Sequence, residues 1–200
     1  MNTKDYNGIN IRDEINKKIN GYNRTRDNRI HASERLYSYS SKWDTVFFIM
    51  NVIAVSLVIG SLMNIGSHVE IFVSSCFSLY TVILQYYYNC LNYKERALKY
   101  HYQQLEIEKY ILELKELLRL DKTNSELEET YKVIWNRYIS TLSATENHSK
   151  FDDETVIFNK EGSGKRPHDF SADNILYYLN IVVIILIITL YVVDVVGTII

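Results

Sequence analysis

One proline and seven glycines in 200 residues leave little material for turns. That shortage excludes a turn-rich β-sandwich, a collagen-like chain and a Pro/Gly-rich disordered chain, and makes long helices the expectation. The two cysteines, Cys76 and Cys90, lie in one apolar run. They are too few for a disulfide scaffold, no CxxC or Cys/His spacing suggests zinc, and both read as buried apolar thiols. A basic surplus is also missing. The net charge is −2, and residues 1–45 carry nine Lys/Arg against six Asp/Glu, so nucleic acid is not expected as a direct partner.

What the chain does have is segregation. The mean hydropathy of −0.14 averages over apolar blocks and charged stretches that do not mix. Val46 to Ile65 is a run of 20 uncharged residues, Ile71 to Tyr93 one of 23, and Asn174 to Val193 another of 20. At 1.5 Å per residue, twenty helical residues span about 30 Å, the thickness of the hydrocarbon core, so all three are read as transmembrane helices. The first block begins too far into the chain, and is too long, for a cleaved signal peptide.

Positive charge gives the direction. Nine of the 22 Lys/Arg precede Val46 and thirteen lie between Lys94 and Arg166, while Gly66 to Glu70 and the tail after Val193 have none. Because Lys and Arg are held on the cytoplasmic side, the N-terminus and residues 94–173 are expected inside, with the 66–70 loop and the C-terminus outside, in the inner (plasma) membrane. Tyr86, Tyr87, Tyr88, Tyr93, Tyr177 and Tyr178 then fall at the inner interface, where an aromatic belt belongs. Asp194, one residue past the third run, reads as an outer anchor with no gating role.

The expected fold class is all-α: an integral membrane protein with three transmembrane helices and a cytoplasmic antiparallel helical hairpin. Residues 94–120 lack glycine and proline, and Tyr100, Ile107, Ile111, Leu114 and Leu118 keep helical spacing, so one helix is expected to run unbroken from near Ile71 to Leu120. After a polar turn at 121–124, Ser125 and Glu128 match a capping box that opens a second helix over about 125–146, with the stripe Leu127, Tyr131, Ile134, Tyr138 and Leu142. Residues 1–28 read as a polar arm, mobile or weakly helical, and Ala32 to Asp44 as a helix leading into the first span. Residues 149–173, which hold Gly162, Gly164 and Pro167, read as a flexible linker, with 156–173 set apart from the preceding domain; within it Val156 to Phe158 is expected as a short strand or docking segment.

Enzyme chemistry is not evident, and no catalytic, cofactor or metal site is expected. Gly162 to Arg166 superficially resembles a phosphate loop, but Asn159 stands where its first glycine belongs and Arg166 where Ser/Thr belongs. Glu146, His148, Asp152 and Asp153 straddle a helix end and a loop, and read as a polar helix cap rather than a catalytic cluster. The more informative pattern lies in the second run. Ser74, Ser78, Thr81, Gln85 and Asn89 step by four, three, four and four, which places them on one helix face. Such a stripe either packs helices together or lines water among several copies of the chain. Three helices cannot enclose a channel, so a pore requires a ring of subunits.

Arg29, Ala32, Arg35, Leu36 and Trp43 ahead of the first span, with Tyr138 and then Glu146, Asn147, His148 and Asp152 after the second, resemble the SLATT family over about residues 25–155. The resemblance implies a two-transmembrane prokaryotic effector with a cytoplasmic helical part. The third span resembles a subgroup with an added C-terminal helix, often encoded beside reverse transcriptases in retron-like systems. It further implies an anti-phage role in which a cytoplasmic partner, such as a nucleotide-signalling enzyme or a reverse transcriptase system, triggers membrane permeabilisation and growth arrest or cell death. A homo-oligomeric pore-forming effector is the leading expectation. A membrane-anchored scaffold or sensor is the second and a holin-like lysis protein the third, the last disfavoured by the long segment between spans.

Overall fold

The computed structural model describes residues 10–62, 68–143, 146–162 and 165–199, with side chains at 68–70 and 194–199 outside the description. Ser67 in the expected outer loop and the side chain of Asp194 therefore lie outside the described residues. Six helices follow one another: α1 (Ile11–Leu62), α2 (His68–Leu91), α3 (Tyr93–Arg119), α4 (Asn124–Ser143), α5 (Lys150–Glu161) and α6 (Ala172–Ile199), with no strand among the described residues. They divide into two compact units, one built from residues up to Arg35 with Glu95–His168, the other from Leu36–Lys94 with the chain from Asp169 on.

In the first unit the core is made by three helices rather than two. Ile15, Ile19 and Tyr22 of α1 join Ile107, Tyr110, Ile111, Leu114 and Leu117 of α3 and Leu127, Tyr131, Ile134 and Tyr138 of α4 in one buried cluster. Residues 11–28, expected as a mobile or weakly helical arm, are thus firm helix and part of the core. Their apolar residues Ile11, Ile15, Ile19 and Tyr22 are spaced four, four and three apart, which is enough for one helix face once a partner exists to cover it. Tyr22 stacks on Tyr138 with ring centroids 3.7 Å apart.

The helix expected to run unbroken from Ile71 to Leu120 is interrupted at Asn92, which adopts a left-handed φ of 49° between α2 and α3. Asparagine tolerates that conformation better than most residues, so the break needs neither glycine nor proline. The cap of α4 sits two residues before the expected Ser125–Glu128 pair. The Glu126 carboxylate accepts from the Thr123 N–H (2.9 Å) and hydroxyl (2.7 Å), while the Glu126 N–H donates to Thr123 Oγ1 (3.4 Å). Glu128 instead pairs with Lys132 at 2.8 Å. The expected linker, including Val156 to Phe158, contains α5. Ser149 and Asp152 form its capping box, and Gly162 closes it in the left-handed conformation (φ 63°), its N–H donating to the Phe158 carbonyl.

The second unit combines the later part of α1 with α2 and α6. Leu36, Tyr39, Trp43, Val46, Phe47, Met50, Ala54 and Leu57 of α1 are buried in it, as are Phe77 of α2 and Ile184 of α6. Inside it the Tyr80 hydroxyl donates to Asn180 Oδ1 at 2.6 Å, so that two polar groups among apolar neighbours satisfy each other. At Gly60 an added Cβ would meet the Tyr191 hydroxyl at 3.3 Å. Among the described residues two helices are long and apolar enough to cross a membrane: α1, with mean hydropathy 2.3 in its apolar stretch, and Ala172–Val193 of α6, with 2.6. Only 28% and 11% of those stretches are buried, so most of their apolar surface faces outward. Phe48, Val52, Val55, Ile59, Val182, Ile185 and Leu186 stand exposed, a surface suited to lipid and costly in water. The two cysteines, expected as buried, are exposed as well.

Candidate functional site

Where the first unit brings α1 against the start of α5, a polar node forms from residues more than a hundred positions apart. Arg24, Asn28 and Arg35 step by four and seven along α1 and so share a face. On that face Arg35 grips Asp152 with two bonds, Nε to Oδ1 at 2.8 Å and Nη2 to Oδ2 at 3.0 Å. Arg24 grips Asp153 in the same way, at 2.9 and 2.6 Å. Between them Asn28 Nδ2 donates to Asp153 Oδ1 and contacts His148 Nε2, each at 2.9 Å. An amide NH2 only donates, so Nε2 accepts and the imidazole is neutral, with its proton on Nδ1.

Asp152 has two tasks. Its Oδ2 accepts from the Ser149 N–H (2.8 Å) and hydroxyl (2.7 Å), which starts α5, while both oxygens hold Arg35. The carboxylate is 1% exposed. Burial works to raise its pKa, but the Arg35 guanidinium and the Ser149 donors outweigh burial and hold it below the usual carboxylate range. Asp153 is held low chiefly by its hydrogen bond to Arg24. His148 is pushed down, first by burial and then by the charge of Arg29.

Arg29 faces another way. Its Nη1 donates to the Glu146 carbonyl at 2.6 Å and its guanidinium lies 5.1 Å from the centre of the Tyr100 ring. It has no carboxylate partner among the described residues and is 2% exposed, so burial lowers its pKa. Tyr100 reciprocates by donating to the Asn147 carbonyl at 2.9 Å, its own pKa raised to about 12 by burial. The Glu146 side chain turns to Arg96, with bonds of 2.8 and 3.2 Å. Beside this node, Ala32 and Ala97 are fully buried and the Ser33 hydroxyl donates to the Ala97 carbonyl at 2.9 Å, a close approach of α1 and α3 that small side chains permit.

Of the residues singled out before and after the spans, Arg29, Ala32, Arg35, Glu146, Asn147, His148 and Asp152 meet in this one unit. Leu36 and Trp43 are buried in the other unit. Asn28, Arg24, Arg96 and Ser149 are members that sequence reasoning did not single out, and Tyr100 was read there only as part of an apolar helix face. Three node atoms are buried without a hydrogen-bond partner: Asn28 Oδ1, Arg29 Nε and His148 Nδ1. Each such atom costs about 1–3 kcal/mol, so the node is closed but not at its energetic best. Among the described residues no group of three His, Cys, Asp or Glu is placed to hold a metal.

The protonation states predict an acid response. Because native His148 binds its proton less readily than the unfolded chain does, stability should fall as pH drops below about 6.5, and the lowered Asp152 and Asp153 add a second loss below about 4. Melting temperature against pH for the wild type and His148→Gln checks this. The variant should lose the slope between pH 7 and 5 and keep the acid limb.

The candidate pore-lining stripe on α2 divides by burial. Ser74 and Thr81 are buried, Ser78 is half-buried with its hydroxyl lacking a partner, and Gln85 and Asn89 are exposed. Thr81 donates to the Phe77 carbonyl of its own helix at 2.9 Å.

An all-helical chain with outward-facing apolar helices and a separate charged helical unit fits the class of small membrane effectors. The model of the SMODS and SLOG-associating 2TM effector domain family 5 matches residues 11–197, and the chain belongs to this family. It is therefore a membrane protein of an effector-domain family, not of a known enzyme family. No curated protein and no solved structure matches it.

Proposed function

We propose that the chain is the pore-forming effector of a prokaryotic anti-phage system, a homo-oligomer that permeabilises the inner membrane when a cytoplasmic partner or signal acts on its charged unit. In this reading α2 is a third span beside α1 and α6, the N-terminus and the α3–α4 hairpin are cytoplasmic, and the C-terminus is outside. The observation that carries it is the combination, within an effector family, of outward apolar helices with polar Gln85 and Asn89 exposed on α2. Amides exposed at membrane depth need water or another subunit. The node between α1 and α5 would then be the part that a trigger loosens. Burial of Ser74 and Thr81 favours the second reading, a membrane-anchored scaffold in which the stripe only packs helices.

Flux from liposomes separates the two. Thr81→Leu/Gln85→Leu should abolish ion flux while oligomer size persists, since an apolar constriction excludes water. A variant that assembles and conducts like the wild type would remove this face from the pore, and a wild type that never leaks would leave the scaffold.

A further inference from the structure

The α3 helix carries two apolar stripes, and only one has a partner within the chain. Its inner stripe, Ile107, Ile111 and Leu114 among others, lies in the core of the first unit. On the opposite side Leu98, Tyr102, Leu105 and Leu112 are 40%, 60%, 52% and 56% exposed. These positions are spaced four, three and seven apart, the spacing of the d and a positions of a heptad. The d positions are Leu98, Leu105 and Leu112; the a positions are Tyr102, Lys109 and Glu116.

Four large apolar side chains in a row on the outer face of a charged helix are costly in water, and the a/d seam of a coiled coil is an arrangement that covers them. We infer that this outer face of α3 pairs with the same face of a second copy as a short, parallel, two-stranded coiled coil. The parallel sense rests on the proposed membrane insertion, which gives every copy the same orientation. Parallel pairing is self-complementary, because each d leucine meets its own counterpart, and Leu at d suits two strands.

The flanking charges agree. Parallel pairing sets position g of one helix against position e of the next heptad in the other, so His101 faces Glu106 of the second copy. Glu106 has no ion-pair partner among the described residues and is free to take that contact. The next pair, Glu108 with Glu113, would repel if bare, but Glu108 is already neutralised by Arg26 and Glu113 by Arg137 within the chain. Lys99 is held by Glu95 at 2.8 Å. Lys109 and Glu116 at a positions weaken the pair and restrict its register, as polar a residues do in other two-stranded coils.

The test uses the full chain in native membranes with Cys76 and Cys90 replaced by serine. Leu105→Cys and Leu112→Cys should each cross-link to a dimer under copper-phenanthroline and oxygen, and Val133→Cys, equally exposed on α4, should not. Leu105→Glu should lower dimer yield in the Leu112→Cys background at least tenfold without moving the melting temperature. Absence of dimers at 105 and 112, or equal yield at 133, overturns the seam. Liposome flux on the same preparations keeps the two claims apart: cross-linked dimers that never leak defeat the pore and spare the seam, while leakage without dimers defeats the seam and spares the pore.

Discussion

Replacing Arg35 with alanine should destabilise the first unit by about 3–5 kcal/mol, the cost of leaving a buried charge without its partner. Asp152 is 1% exposed and its two oxygens face Arg35 and the Ser149 donors, so water cannot readily take the place of the guanidinium. Asp152→Asn should cost less, since an amide can still accept from Ser149 and carries no charge. The double variant Arg35→Met/Asp152→Asn should recover most of the loss, because removing both charges removes the desolvation penalty with them. Urea midpoints in detergent, with protease sensitivity near residues 146–149, read all three. A full-cost effect from each single change with no recovery in the double would mean that the pair is not coupled.

Ile15→Asp should have an effect at least as large, on a helix that sequence alone would leave loose. Ile15 is 0% exposed in the three-helix cluster. Removing it forfeits about 1.5–3 kcal/mol of apolar burial, and an unpaired carboxylate in its place adds several more unless it stays protonated. The sum approaches the whole stability of a small domain. Far-UV circular dichroism should show loss of helix from the first unit at 37 °C. Lys17→Asp, on the rim of the same helix, should change stability by less than about 0.5 kcal/mol. Equal tolerance of both would return residues 11–28 to the status of a mobile arm.

The contrast between these two sites explains which parts of the fold were legible. An uncharged run twenty residues long is a local property, so the apolar stretches of α1 and α6 could be read directly. Ile15, Ile19 and Tyr22 are scattered among Asn, Lys and Gly, and become a stripe only when α3 and α4 are known to lie beside them. The break at Asn92 carries no glycine or proline to announce it. Asp152, not Glu, completes the cap of α5, and two acids beside a glycine-containing stretch read as loop. The node was half visible: Arg29 and Arg35 on one side and Glu146 to Asp152 on the other drew attention as separate letters. Nothing in either segment states that they touch, because their pairing is decided by the packing of α1, α3 and α4 between them. On α2 the spacing of Ser74 to Asn89 is a property of the helix alone, but which of those residues are covered depends on neighbours that the helix itself does not specify.

The bond between Arg35 and Asp152 spans 117 residues of sequence, and that separation orders events during synthesis. At about 5–20 residues per second, α5 leaves the ribosome roughly 6–23 s after the part of α1 that it will clasp. The whole of Leu36 to Leu91, including the apolar stretch of α1 and all of α2, has been made in that interval. Ile15, Ile19 and Tyr22 wait uncovered until α3 and α4 follow. Nascent chains stalled before residue 107 should therefore engage a trigger-type chaperone or be cut readily within residues 11–30, and chains stalled beyond residue 170 should not.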